Sequence, residues 1–335
     1  MVKKKTAKKS EIVFTPRVKY DFTPDEKIVY DCIVVGAGVV GYSAAMYSGR
    51  LGLKTLVIGE MPGGTITLTH IVENYPGFVS LTGMQLAKAL EQHAKDYDID
   101  ILSGRVDKIS KVKDNFLIAT RKQVFMGKTI IYATGSKWKK LGVKGEKEYE
   151  NRGVSYCALC DGPLFRNKIV GVVGGADSAV KEALLLSEFT KKVFVIYRGD
   201  KLHPEPVNMK RLETKVKKGK IEIISNTNIV EIVGDGKQLT KVVFDKLYKG
   251  KKDFNLQGLF IEIGHEPLSD LAKQIGVKTN VKSEILINRN SETNVSGFFA
   301  AGDVSDTEFK QAITGVGEAV HAAYRAYVYL KKEEL

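Results

Sequence analysis

The apolar positions of this chain fall into short, nearly continuous runs separated by glycine turns, with amphipathic stretches between them. From Ile28 the run IVYDCIVV is β-branched and almost unbroken, as in a strand covered on both faces. The turn GAGVVG at 36–41, the small-residue segment YSAAMYSGRLG and the run KTLVIG then predict strand, helix and strand, a βαβ unit. Leu86, Ala87, Leu90, Ala94 and Tyr97 recur at helical spacing. Short alternating segments between Arg105 and Phe125 predict an inserted antiparallel ribbon, and KTIIYATG a closing strand. Past a lysine- and glycine-rich connection over 137–153 the order repeats, with strand NKIVGVV, turn GGADSA, helix VKEALLLSEF and strand KKVFVIYR. Gly36 to Glu60 and Gly174 to Arg198 span the same 24 residues, the mark of an internal duplication. Strands near 221–263 follow, then GFFAAGDVSD and a helix from QAITGVGEAV onward; this tail has no βαβ unit of its own and must pack on an existing domain. Residues 1–27 lack periodicity, carry Pro16 and Pro24, and are expected to form a basic arm outside the fold.

Composition narrows the class. With 335 residues, 43% apolar and 27% charged, the chain is of ordinary globular make-up and long enough for two or three domains. No apolar run approaches membrane length, and the basic start MVKKKTAKKS has no apolar segment or cleavage site behind it, so a cytoplasmic protein with no membrane association is expected. The net charge of +13 raises nucleic acid or an acidic protein as partners. The lysines are scattered and no base-reading motif is present, which argues against nucleic acid and for a solvated surface or an acidic protein. Three cysteines exclude a disulfide scaffold.

The first glycine turn lies between strand and helix, the context a dinucleotide pyrophosphate requires. Gly36 permits the tight turn, Gly38 lets backbone approach phosphate, Gly41 lets helix pack on strand, and Glu60 at the next strand end can accept from ribose hydroxyls while repelling a 2′-phosphate. The second turn departs from this. Gly174-Gly175-Ala176-Asp177-Ser178-Ala179 carries a methyl where the close-approach glycine belongs, and its strand ends on Arg198, a single guanidinium for a 2′-phosphate. Either a nicotinamide site or a Rossmann unit kept for packing fits that pattern. Cys157-Ala158-Leu159-Cys160 can close a small disulfide ring and exchange it through one thiolate. Zinc would need two more ligands, whereas His70, His93, His203, His265 and His321 are dispersed, so no metal is expected; a purely structural pair is the other alternative. Asp161 beside the pair is a general acid or a helix cap, Asp303 a cap or a holder of cofactor hydroxyls, and Cys32 a core residue.

Together these residues resemble the low-molecular-weight thioredoxin reductases, FAD-dependent pyridine nucleotide–disulfide oxidoreductases, from about Tyr30 to Leu330. The matches fall in order: GAGVVG, PGGTIT with VENYPG and LTG, ATG at 133–135, CALCDG at 157–162, IGHEP at 263–267, AAGDV at 300–304 and KQAIT at 310–314. The resemblance implies an α/β fold of two Rossmann-like three-layer dinucleotide-binding domains, the second inserted into the first. Their expected bounds are 28–140 plus 270–335 for FAD and 141–269 for the nicotinamide-type domain with the CxxC pair. It implies that Gly36, Gly38, Gly41, Glu60, Gly63, Gly64, Asn74, Ala133, Gly135, Gly302, Asp303, Lys310, Gln311 and Ala312 surround FAD. Gly174, Asp177, Ser178, Arg198, His203 and Gly264 would meet NADPH or NADH. Cys160 would exchange electrons with the flavin, Cys157 would attack the substrate disulfide, and Asp161 would be the acid. Thioredoxin or a thioredoxin-like protein is the implied partner, a homodimer the implied assembly, and two alternating domain orientations the implied cycle. Where the family carries HRRxxxR, this chain reads Tyr197-Arg198-Gly199-Asp200-Lys201-Leu202-His203, which leaves NADPH, NADH or a ferredoxin as donor. A flavin or dithiol oxidase making hydrogen peroxide is the competing activity.

Overall fold

The computed structural model describes residues 23–333. Most of the expected arm lies outside them; of its last residues, Asp25 and Glu26 are tied to the first unit, where the Asp25 N–H donates to the Tyr30 hydroxyl at 2.9 Å and the Val124 N–H to Glu26 at 2.9 Å. The chain divides into two compact units, one running to Gly135 and resuming at Pro267, the other Ser136–Glu266.

The first unit opens with β1 (Val29–Val35), α1 (Val39–Arg50) and β2 (Thr55–Gly59), followed by α2 (Gly83–Ala94), β3 (Ile99–Ser103), β4 (Val106–Val112), β5 (Asn115–Thr120) and β6 (Val124–Tyr132). These strands form one sheet in the order β3-β2-β1-β6-β5-β4, parallel across β3-β2-β1-β6 and antiparallel through the β4–β5 ribbon. α2 starts where Thr82 and Gln85 close a capping box.

The second unit contains β7 (Ser136–Trp138), α3 (Glu146–Tyr149), β8 (Val154–Ser155), α4 (Ala158–Asp161), β9 (Ile169–Val173), α5 (Asp177–Leu186), β10 (Lys192–Ile196), α6 (Pro206–Lys217), β11 (Ile221–Ile224), β12 (Ile229–Gly234), β13 (Leu239–Tyr248), β14 (Lys251–Asn255), β15 (Gly258–Ile261) and β16 (His265–Pro267). A parallel sheet β11-β10-β9-β15-β8 carries its Rossmann core, and β12-β13-β14 form a separate antiparallel sheet. Val170, Val172, Val193 and Val195 pack on Val180, Ala183 and Leu186 of α5, which explains the β-branched runs.

The chain then returns to the first unit with α7 (Asp270–Gln274), β17 (Phe298–Ala300) and α8 (Ala312–Glu333). β17 pairs in parallel with Ile130–Tyr132 while the start of β6 serves β5, so the tail is received by one long strand. Ala319, Ala322, Ala323 and Ala326 of α8 and Ala44 and Ala45 of α1 share a core with Cys32 and Val34 of β1. Small side chains there let the two helices lie close on the sheet.

Candidate active site

The parallel strands of the first unit end at the glycine turn. Gly36 sits at φ +118°, and a Cβ there would stand 2.2 Å from the Ala133 carbonyl oxygen. A Cβ on Gly41 would meet the Gly36 carbonyl oxygen at 1.8 Å, so both glycines are required by the protein itself. Gly38 differs: its nearest neighbour would be the Gly64 Cα at 3.7 Å, an ordinary contact. Nothing among the described residues stands closer, so the position is open to close approach from outside, as a pyrophosphate over α1 would require. The first turn of α1 has neither an acidic residue nor a side-chain cap, leaving its amides free for an anion. Gly63 and Gly64, at φ +84° and +68°, fold back so that the Gly63 N–H donates to the Ala37 carbonyl at 2.7 Å. Glu60 is exposed at the end of β2.

Residues distant in sequence join this rim. The Asn74 amide donates to Gln311 Oε1 at 2.9 Å, immediately ahead of α8 at Ala312. Gly302, at φ +81°, packs over Val40 of α1, and its N–H donates to Glu318 at 2.7 Å. Lys310 donates to the Asp303 and Ser305 carbonyls and pairs with Glu284 at 3.2 Å. Asp303 lies well ahead of α8 and is not its cap. Gly135, at φ +66°, has open space where its side chain would be. The residues present therefore fit a dinucleotide, with bare backbone at Gly38 and Gly135 and helix amides at one end.

In the second unit Cys157 and Cys160 are joined in a disulfide, their Cα atoms 5.4 Å apart; Cys160 is exposed and Cys157 half-buried. Cys157 stands at the N-cap of α4, where its sulfur accepts the Cys160 N–H at 3.1 Å. Asp161 makes no capping bond; instead its carboxylate accepts the Ser155 hydroxyl at 2.7 Å, and Ser155 in turn accepts the Cys157 N–H at 3.1 Å. Ser155 escaped the sequence reading because nothing local distinguishes it.

The second nucleotide turn is differently furnished. Gly174, at φ +147°, is enforced by the Glu262 carbonyl oxygen 2.2 Å from a Cβ position. Ala176 is the N-cap of α5 and exposed. Asp177 accepts from the Glu205 N–H at 2.9 Å and the Asn208 amide at 2.8 Å, so its carboxylate anchors α6. The Tyr197 ring fills the space beside Gly175 and Gly199, with its hydroxyl 3.5 Å from His203 Nδ1. Ser178, Arg198 and His203 are exposed, and Gly264, just ahead of β16, stands at φ +99° with its carbonyl accepting the Lys139 N–H. Two carboxylates missed in the sequence lie nearby: Glu182 of α5 and Glu262 after β15, raised by burial to about 7 and about 9. A charged residue inside the apolar run LFIEIG was the visible signal for the second.

Among the described residues no cluster of His, Cys, Asp and Glu could hold a metal ion, and no helix is long and apolar enough to cross a membrane. Comparison with known proteins gives consistent results. A thioredoxin reductase of Bacillus subtilis is 36% identical over 92% of this chain and 96% of its own length. The solved thioredoxin reductase of Lactococcus lactis, in its FR conformation, superimposes with a TM-score of 0.86 at 36% identity, covering 90% of this chain and 99% of its own. That of T. acidophilum gives 0.83 at 37%, covering 89% and 98%. With residues 30–325 matching the family as well, this chain belongs to the pyridine nucleotide-disulphide oxidoreductases.

Proposed function

We propose that the protein is an FAD-dependent thioredoxin-disulfide reductase, moving electrons from NADPH or NADH to the Cys157–Cys160 disulfide and on to thioredoxin or a thioredoxin-like protein. The observation that carries the reading is the disulfide itself: its exposed sulfur lies on a short helical loop, next to a carboxylate aligned by Ser155. The relatives' shared name supplies the substrate. FAD, when bound, supplies a two-electron carrier between a hydride donor and a disulfide.

The residues of the first unit divide the work of holding it. Gly36, Gly38 and Gly41 with the α1 amides take the pyrophosphate, Glu60 the ribose hydroxyls, and Gly63, Gly64, Asn74, Ala133, Gly135, Gly302, Asp303, Lys310, Gln311 and Ala312 the remainder. The α8 N-terminus favours negative charge developing beside it. With FAD bound, Cys160 would be the sulfur that receives electrons from it, Cys157 the one that would attack the substrate disulfide, and Asp161 the group that would supply the proton to the departing thiolate. In the second unit Gly174, Asp177, Ser178, Arg198, His203 and Gly264 surround the nicotinamide nucleotide. A single guanidinium at Arg198 supports NADH or weakly held NADPH, and a ferredoxin remains the alternative donor if neither serves. A homodimer in the cytoplasm completes the proposal, on the resemblance and the sparing use of cysteine.

The test is thioredoxin reduction by the holoenzyme and by Cys157→Ser and Cys160→Ser. Both variants are expected to bind FAD and to lose thioredoxin turnover; retained turnover in either removes the disulfide relay. Peroxide formation from a small dithiol, without thioredoxin, would favour an oxidase.

A further inference from the structure

The two βαβ units keep equal spacing, so Gly175 stands where Ala37 does, Tyr197 where Gly59 does and Arg198 where Glu60 does. In the first unit the Ala37 methyl lies 2.4 Å from the Cβ position of Gly59, so that strand can end on nothing larger than glycine. In the second unit the exchange is reversed: the strand ends on an aromatic ring and the turn gives up its methyl. A Cβ on Gly175 would stand 2.5 Å from one edge of the Tyr197 ring, and a Cβ on Gly199 2.6 Å from the other. Neither glycine has a positive φ, so the ring, and not the backbone, requires them.

The seated ring is half-buried, with its hydroxyl 3.5 Å from His203 Nδ1, at the outer limit of a hydrogen bond and with capacity for another partner. His203 is fixed by its own N–H, which donates to the Gly175 carbonyl at 2.8 Å. Beside the ring, α5 begins with no side-chain cap, and Asp177 is drawn off to Glu205 and Asn208. Its first amides are therefore open to a pyrophosphate, and the residues fit a dinucleotide whose adenosine ribose reaches the strand end. Among residues 197–203 Arg198 is the one guanidinium. Asp200 follows, exposed, its carboxylate accepting the Asn226 amide at 3.4 Å. The exposed Lys201 next to it offsets that charge without supplying a second fork for phosphate.

We propose that Tyr197 is the specificity-determining residue of the second unit and selects a nicotinamide dinucleotide without a 2′-phosphate, NADH: its hydroxyl takes the adenosine ribose hydroxyls, and its ring covers the space a 2′-phosphate would need. The inference rests on reading the second unit as a nicotinamide-nucleotide site. A 2′-phosphate would lose water against an apolar ring edge, with one guanidinium to meet it and Asp200 opposing it. A ribose hydroxyl is neutral and pairs with a phenol at little cost.

Binding alone tests this, with no electron transfer. ADP-ribose and its 2′-phosphate, neither of which carries a nicotinamide, are titrated into the oxidised holoenzyme by calorimetry. Wild type is expected to hold ADP-ribose at least about tenfold more tightly than the phosphorylated probe. Tyr197→Phe keeps the ring and is expected to weaken ADP-ribose about three- to tenfold while leaving the phosphorylated probe unchanged. Tyr197→Ala uncovers the space beside Gly175 and Gly199 and is expected to bring the two affinities together. Equal or reversed affinities in wild type, an unaltered preference in Tyr197→Ala, or an ADP-ribose affinity unaltered in Tyr197→Phe each overturn the proposal and leave the nucleotide site standing. If neither probe binds wild type, the reading of the second unit as a nucleotide site fails, and the proposal with it.

Discussion

Gly38 and Gly41 are glycines for different reasons, and the difference is testable at single residues. A methyl at Gly41 would overlap the Gly36 carbonyl oxygen, 1.8 Å away, whereas at Gly38 it would rest 3.7 Å from Gly64. Gly41→Ala is therefore expected to cost about 1–3 kcal/mol or more of stability, measured by thermal unfolding. Gly38→Ala should melt like wild type without cofactor, yet hold FAD at least about tenfold more weakly, ~1.4 kcal/mol, measured by flavin fluorescence. Equal melting losses in both would mean that Gly38 serves packing alone. Cys32 is a third kind of residue. Fully buried in β1, with its thiol pushed up to about 12 by desolvation, it has no thiolate to contribute and should resist alkylation in the folded protein.

At the scale of elements, local pattern foretold the strands and turns that carry their own signal. Both βαβ units, the β4–β5 ribbon and the docking of the tail were legible, because β-branched runs and glycine turns are set by neighbours in sequence. α5 begins at Asp177, three residues ahead of the expected VKEALLLSEF, since the turn itself supplies the first helical residues. α6 was missed: its only fully buried apolar side chain is Leu212, so its stripe is faint against four basic residues. Pairings that cross the chain were not legible at all, among them Asn74 with Gln311, Gly302 with Glu318, and Glu182 with Ala158. Another such tie joins β11 to its surroundings, where Glu222 accepts from Lys192, Tyr248 and Lys249 and is held down to about 2. Its stabilising contribution is present above the ordinary glutamate range and is lost as pH falls through about 2. Glu222→Gln should lower stability by on the order of 1 kcal/mol at neutral pH, and its melting curve should converge with wild type in strong acid.

For the whole molecule, the two Rossmann units are repeats put to different use. The first keeps a bare Gly38 and an α1 start free of acids; the second has Ala176, Asp177 turned to α6, and Arg198 as the one guanidinium of its strand end. NADH or NADPH is accordingly expected to bleach the flavin at a rate that rises in Ala176→Gly, measured by anaerobic stopped flow; an unaltered rate would mean that Ala176 does not limit nucleotide approach. The net charge of +13 predicts that the rate with an acidic thioredoxin falls as salt is added. The most direct test of the central claim bypasses the donor. Holoenzyme reduced with dithionite is freed of oxygen and excess reductant, oxidised thioredoxin is added, and the oxidised flavin band is followed. Its return, with matching appearance of thioredoxin thiols and abolished by Cys160→Ser, is the predicted result. A flavin that stays bleached with thioredoxin and reoxidises only when oxygen is admitted would contradict it.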